Sequence, residues 1–196
     1  MLNQDVPLPS GLQHEQFVAT PLTAATAALD YAAYLASPEI IRVHSDGRWP
    51  LEGFTLAEDL ELIAKHEADH EQRRAFTFVL LSPSRTEGLG CVYVNPLQVY
   101  LRRVGADPKV MDRLPSSSAM VTFWLRQDLH DTGLTDVVVE AIHEWLLSEW
   151  PLTTHIFRVL PEERSSRRAL DRLDLRIIEL DLPGEPRPYI WYHASV

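Results

Sequence analysis

The sequence predicts an α/β (α+β) domain: a central, mostly antiparallel mixed sheet of about seven strands, flanked by about four helices. Three observations carry this prediction. Short apolar runs such as Ala75–Leu81 and Gly88–Val94 are bounded by Pro, Gly and Ser in the manner of strands. Two stretches, Thr55–Arg74 and Asp136–Trp150, repeat apolar residues at the period of an amphipathic helix. Between Met120 and Leu175 the order runs strand, polar turn with one glycine, helix, strand, helix. A strand that feeds a helix through a glycine-bearing turn can offer unpaired backbone N–H groups to an anion such as a pyrophosphate.

Taken in chain order, residues 1–15 read as an N-terminal arm or loop and 16–196 as a single domain. Phe17–Ala19 is a short strand. Thr20-Pro21 supplies a hydroxyl cap and a proline at the first helical position, so a helix is expected over Leu22–Leu35. Residues 38–54, with Pro38, Gly47, Pro50 and Gly53, read as a loop anchored by Trp49. Thr55-Leu-Ala-Glu58 is a capping box that opens the next helix, whose apolar stripe is Leu56, Leu60, Ile63 and Ala64. Strands at Ala75–Leu81 and Gly88–Val94 form a hairpin across the turn Ser82–Glu87. Residues 95–118 read as a long irregular loop. Strand Met120–Leu125, turn Arg126–Thr135 and helix Asp136–Trp150 follow, with Trp145 and Trp150 at core spacing. Strand His155–Leu160, a helix from Pro161, and strands Arg176–Leu182 and Pro188–His193 complete the chain.

Bulk properties narrow the function. Of 18 basic residues only two, Lys65 and Lys109, are lysines, and the net charge is −10. That balance argues against nucleic-acid binding and against docking on anionic membranes. The lone Cys91 excludes an internal disulfide and a Cys-rich zinc site; within the apolar run Leu89–Val94 it reads as a small buried side chain. The N-terminus lacks the basic and apolar regions of a signal peptide, and no apolar run approaches the ~18 residues of a membrane helix. A cytoplasmic protein is expected. His66-Glu67-Ala68-Asp69-His70 fits the H-E-x-x-H zinc pattern, with both imidazoles on one helical face. The helix end around it is very polar and no third ligand is assigned, so His66, Glu67 and His70 are read as an accidental match and no metal is expected.

Three segments resemble the GNAT acyltransferases. Gly88-Leu-Gly-Cys-Val-Tyr-Val-Asn-Pro96 is similar to the family's third strand, and Met120–Leu129 to its fourth strand in the branch that acetylates protein N-termini. Pro161-Glu-Glu-Arg-Ser-Ser-Arg-Arg-Ala-Leu-Asp-Arg-Leu-Asp-Leu175 resembles the signature of the last helix. The resemblance implies acetyl-CoA as co-substrate and direct transfer of acetyl to a primary amine, on a small molecule or a protein N-terminus. It implies that backbone N–H groups of Leu125, Arg126 and Gln127 hold the pantetheine and thioester. The pyrophosphate loop aligns with His130–Thr135, so Thr132, Gly133, Leu134 and Thr135 fall at the phosphates, with Ser166 from the last helix. Asp131 and Asp136 place two carboxylates beside that loop, and Leu170 stands where many members carry a tyrosine acid. Tyr93, Asp128, His130 and Tyr192 are the titratable candidates for proton transfer. Arg164, Arg167 and Arg168 are placed to meet a phosphate or solvent. The terminal strands are placed to pair across a homodimer. The alternative reading is a GNAT-like module that binds or assembles without catalysis.

Overall fold

Apolar residues occupy nearly every position of the strands expected at 75–81 and 120–125, so both faces of each need cover. A computed structural model describes residues 6–185 and 187–194; Met1–Asp5, the start of the expected arm, lie outside them. One eight-stranded sheet runs through the chain: β1 (Leu12–Gln13), β2 (Val18–Pro21), β3 (Phe76–Leu81), β4 (Gly88–Pro96), β5 (Ser118–Leu125), β6 (Thr154–Val159), β7 (Arg176–Ile178) and β8 (Ile190–His193). The spatial order is β1-β2-β3-β4-β5-β6-β8-β7, and every pairing is antiparallel except β5 with β6. The helices are α1 (Ala27–Leu35), α2 (Pro38–His44), α3 (Leu56–Glu71), α4 (Leu97–Arg103), α5 (Pro108–Asp112), α6 (Leu134–Ser148) and α7 (Arg164–Leu170).

Strand alternation divides the side chains between two cores. Phe78, Leu80, Val121, Phe123 and Leu125 pack beneath α6 and α7, where Trp145 and Trp150 are buried as their spacing predicts. The two indoles meet edge to face at 5.3 Å, and Phe78 meets Trp145 the same way at 5.1 Å. On the opposite face Val79, Leu81, Cys91 and Trp124 pack against α1, α2 and α3. Met120, Ile156 and Trp191 pack there against α4.

The main departures from the sequence reading lie in short elements. Thr20-Pro21 does not open a helix, because Val18–Pro21 pairs with β3; helical structure begins in a 3-10 turn at Ala24–Thr26. The stretch read as a loop over 38–54 holds α2, started by Pro38 at its first turn. The stretch 95–118 holds α4 and α5. Leu12–Gln13, inside the expected arm, adds the outermost strand beside β2. The capping box is present: Thr55 N–H donates to Glu58 Oε2 at 2.8 Å and Glu58 N–H to Thr55 Oγ1 at 3.3 Å.

A bulge shapes the start of β4. Leu80 lies opposite Gly90 and Leu81 opposite Gly88, so Leu89 is an extra residue. The released Leu89 carbonyl accepts the Arg126 N–H at 2.8 Å, which fixes the chain as it leaves β5. Gly90 sits at φ +147°, and a Cβ there would lie 2.0 Å from the Trp124 carbonyl oxygen. Gly90→Ala is expected to destabilise the fold by about 1–3 kcal/mol, read as a lowered urea midpoint with unchanged slope.

His155 is fully buried, with Nε2 2.9 Å from His143 Nδ1 and its own Nδ1 unpartnered. Burial, helped by the neighbouring His143 and His193, holds its pKa down at about 3. The unfolded chain protonates this imidazole near pH 6.5, so the contribution to stability is complete above that pH and is lost as pH falls toward 3. Denaturant titrations between pH 6.5 and 5 should show stability falling by up to ~1.4 kcal/mol per pH unit from this site. The slope should flatten in His155→Gln.

Candidate active site

The functional geometry begins where β5 and β6 separate. They share parallel register from Ser118 opposite Thr154 to Val121 opposite Phe157, and no further. Beyond that point β5 stays with β4 as far as Leu125 opposite Gly90, whereas β6 stays with β8 as far as Val159 opposite Ile190. The Arg126 N–H points to β4, through its bond to Leu89, so alternation turns the N–H groups of Phe123 and Leu125 toward the side where the β6 ladder has ended.

The turn after β5 is closed by its own side chains. Arg126 clasps Asp128 with two bonds of 2.8 Å, which holds the Asp128 carboxyl below its ordinary pKa. His130 Nε2 lies 3.0 Å from the Leu125 carbonyl. Thr132 Oγ1 donates to the Leu129 carbonyl at 2.7 Å and accepts the Leu134 N–H at 3.3 Å. Gly133 then takes φ +86°, a left-handed conformation that favours glycine, and α6 begins. Thr135 is buried and its Oγ1 has no hydrogen-bond partner. Asp136 pairs with Arg172 from beyond α7, which neutralises one of the two carboxylates beside the turn.

Two cavities flank Trp124, which lines both. The smaller, about 210 Å³, lies between the end of β5 and the start of α7 and is lined by Leu125, His130, Glu163, Arg164, Ser165 and Ser166, among others. The larger, about 270 Å³, lies beneath α1, α2 and α3 and receives Asp30, Tyr34, His44, Asp59, His66 and Tyr93. His44 Nδ1 is 3.1 Å from Glu163 Oε1, and Glu163 Oε2 accepts the Leu160 N–H at 2.6 Å. This carboxylate thus ties α2 to the entry of α7, between the two cavities.

The sequence profile of the Acetyltransferase (GNAT) domain matches residues 18–176. The chain belongs to the GNAT acetyltransferase family. No curated protein matches it by sequence. Solved structures resemble it at low identity. The Microcin C7 self-immunity acetyltransferase MccE, in complex with acetyl-CoA and AMP, is 13% identical, with 96% of this chain and 97% of that chain covered and a TM-score of 0.69. RimL, a ribosomal L7/L12 alpha-N-protein acetyltransferase in complex with coenzyme A, is 11% identical over 96% and 97% of the two chains, TM-score 0.68. The ribosomal-protein-S5-alanine acetyltransferase from Vibrio fischeri is 15% identical over 95% and 97%, TM-score 0.65.

The GNAT co-substrate, acetyl-CoA, meets groups suited to it here. The parted strand offers backbone N–H groups, the buried Thr135 hydroxyl lacks a partner, and the exposed Arg164 lines the smaller cavity. The structure also sorts the residues expected from the GNAT pattern. Of Leu125, Arg126 and Gln127, only Leu125 keeps its N–H on the open side; Arg126 gives its own to Leu89, and Gln127 gives its own to Ser37 Oγ at 3.3 Å. Thr132, Gly133, Leu134 and Thr135 form the entry to α6, and Ser166 lines the smaller cavity. Arg168 bonds the His130 carbonyl at 3.2 Å and Arg167 the Pro161 carbonyl at 3.2 Å, leaving Arg164 at the cavity.

Among the proton-transfer candidates, His130 lines the smaller cavity and Tyr93 the larger. Tyr93 Oη accepts from Trp124 Nε1 at 3.2 Å, and burial pushes its pKa well up. Asp128 lies at the surface and Tyr192 in the core, donating to Asp171 at 2.6 Å with its pKa pushed up to about 12 mainly by burial. Neither lines a cavity described above. The H-E-x-x-H residues diverge: His66 lines the larger cavity with Nδ1 3.0 Å from Thr77 Oγ1, His70 packs against Phe76 and Phe78, and Glu67 accepts the Ala24 N–H at 3.4 Å. Among the described residues, no group of three or more His, Cys, Asp or Glu is arranged to hold a metal.

Sequence reasoning did not single out Asp30, Asp59 or Glu163 as site residues. The clue for Asp30 was its place in an otherwise Ala-rich helix. Glu163→Ala removes both the tie to His44 and the acceptor at Leu160; it should lower stability by about 1–2 kcal/mol, measured as a drop in melting temperature.

Proposed function

We propose that the protein transfers an acetyl group from acetyl-CoA directly to a primary amine. The observation that carries this reading is the parting of β5 from β6, with a cavity on either side of Trp124. Acetyl-CoA supplies an activated acyl thioester. The Phe123 and Leu125 N–H groups bind its pantetheine arm and thioester in place of the missing β6 ladder. The α6 entry at Gly133, Leu134 and Thr135 receives the pyrophosphate, helped by the helix dipole and by Arg164 and Ser166. Thr132 already caps Leu134 N–H, so Thr135 contributes its hydroxyl. The Arg172 pair on Asp136 lowers the repulsion that two bare carboxylates would impose there.

In the reaction the thioester C–S bond breaks and an amide C–N bond forms. An ammonium acceptor first releases one proton to solvent to free its lone pair, and the second proton lost by nitrogen is balanced by the one that ends on sulfur, giving amide, coenzyme A and one released proton. Tyr93, kept protonated by burial and accepting the Trp124 indole N–H, is not the base. His130 fixes the Leu125 carbonyl and so orients the last peptide of the open strand. No helix among the described residues is long and apolar enough to cross a membrane. The sheet has two edge strands, β1 and β7, and a homodimer paired through the terminal strands would form at one of them.

A thermal-shift titration tests the reading. Acetyl-CoA at ~100 times its dissociation constant should stabilise the fold by roughly 2.7 kcal/mol, and Gly133→Glu should remove the shift while lowering the unliganded melting temperature by a few degrees, because a side chain at φ +86° is strained. Absence of a shift at millimolar acetyl-CoA would overturn the proposal. A shift without thiol release in the presence of any primary amine would instead identify a binding module.

A further inference from the structure

The larger cavity holds carboxylates without cations. Asp30 on α1 and Asp59 on α3 are each 8% exposed and both line it. Asp30 Oδ1 accepts the Cys91 thiol at 3.0 Å; Asp59 Oδ2 is buried with no hydrogen-bond partner. Neither takes part in an ion pair among the described residues, and no Lys or Arg lines the cavity. The two imidazoles present are engaged elsewhere, His44 with Glu163 and His66 with Thr77. Removing a carboxylate from water is costly unless a cation accompanies it. Beside the pair stands a cluster of rings: Tyr34, Trp49 and Phe54, with centroids 5.0 to 6.2 Å apart. Aromatic faces attract cations and cover an apolar body.

Resting on the acetyl-transfer reading above, we propose that this cavity is the acceptor site and takes a small primary ammonium compound, its charge held by Asp30 and Asp59 and its apolar body by Tyr34, Trp49 and Phe54. At about 270 Å³ it lies just below the range of ~300–1,000 Å³ that accommodates drug-sized ligands. Trp124, a residue of the parted strand itself, is the wall this cavity shares with the smaller one, so the guest amine sits across the indole from the thioester site. A protein N-terminus would also bring a cation. Most of the walls, however, are side chains of α1, α2, α3 and the segment 45–54, with only Tyr93 and Trp124 coming from the sheet, which leaves little backbone along which a peptide could pair.

The carboxylates also set a pH signature. Burial, and then the charge of Asp30, pushes the Asp59 pKa up to about 6. The other titratable groups facing the cavity are Tyr34, His44, His66 and Tyr93; burial lowers the His66 pKa and raises those of both tyrosines. Ammonium binding should therefore strengthen as pH rises through about 6 and Asp59 ionises.

Calorimetry on the coenzyme A-saturated protein decides the matter, using 2-phenylethylamine, its neutral isostere 2-phenylethanol, phenylacetate and a short peptide with a free N-terminus. The amine should bind at least about tenfold more tightly than the alcohol, and phenylacetate should not bind. Asp59→Asn should remove most of that preference and flatten the pH profile, with coenzyme A affinity unchanged. Equal binding of amine and alcohol to the wild type overturns the proposal without reference to any variant, as does a peptide that binds more tightly than the amine. If coenzyme A itself fails to bind, the acetyl-transfer reading falls. The amine-over-alcohol preference, then measured on the protein alone, still decides whether this is an ammonium site.

Discussion

Strands β5 and β6 run side by side for four residue pairs and then part, each held by the neighbour on its other side. Antiparallel pairing with β4 continues to the end of β5, and antiparallel pairing with β8 continues to the end of β6. The separation is therefore stabilised from outside, by two complete ladders, rather than by anything that fills the gap. Because backbone N–H groups are obligatory hydrogen-bonding groups, those left along the gap create a demand for a polar guest. The turn, the α6 entry and the α7 entry all border the region where that demand is exposed.

The rest of the molecule keeps this open geometry rigid. The α6 and α7 core anchors one sheet face with interlocked indole and phenyl rings. The α1–α3 layer covers the other face yet leaves a cavity over Tyr93 and Trp124. The Leu89 bulge links the two requirements. It breaks the β3–β4 register by one residue and uses the freed carbonyl to hold Arg126, so irregularity in one hairpin sets the exit direction of the next strand.

Much of the fold was legible in the sequence because its main elements carry strong periodic signals. The α6 stripe from Val138 through Trp145, and the Thr55–Glu58 box of α3, announce themselves locally. Short elements did not: α2, α4 and α5 have five to seven residues and lie among prolines and glycines, where turn chemistry and helix starts look alike. Thr20-Pro21 satisfied a local helix rule that strand pairing overrode. The site was legible only in part. Motif spacing pointed to Gly133 and Ser166, which lie at the α6 entry and in the lining of the smaller cavity. Asp30 and Asp59 went unnoticed, since the one acid of α1 and one of the six acids of α3 read as solvated until packing turns both inward. The compensation of Asp136 by Arg172 spans 36 residues of sequence and is equally invisible to local reasoning.

Trp124, with the His44–Glu163 contact behind it, is one wall shared by two cavities. A partition of this kind makes the two occupants thermodynamically interdependent. Where a guest on one side shifts the indole and so alters affinity on the other, the second guest alters the affinity of the first by the same factor. That indole is also an intrinsic fluorophore bordering both chambers.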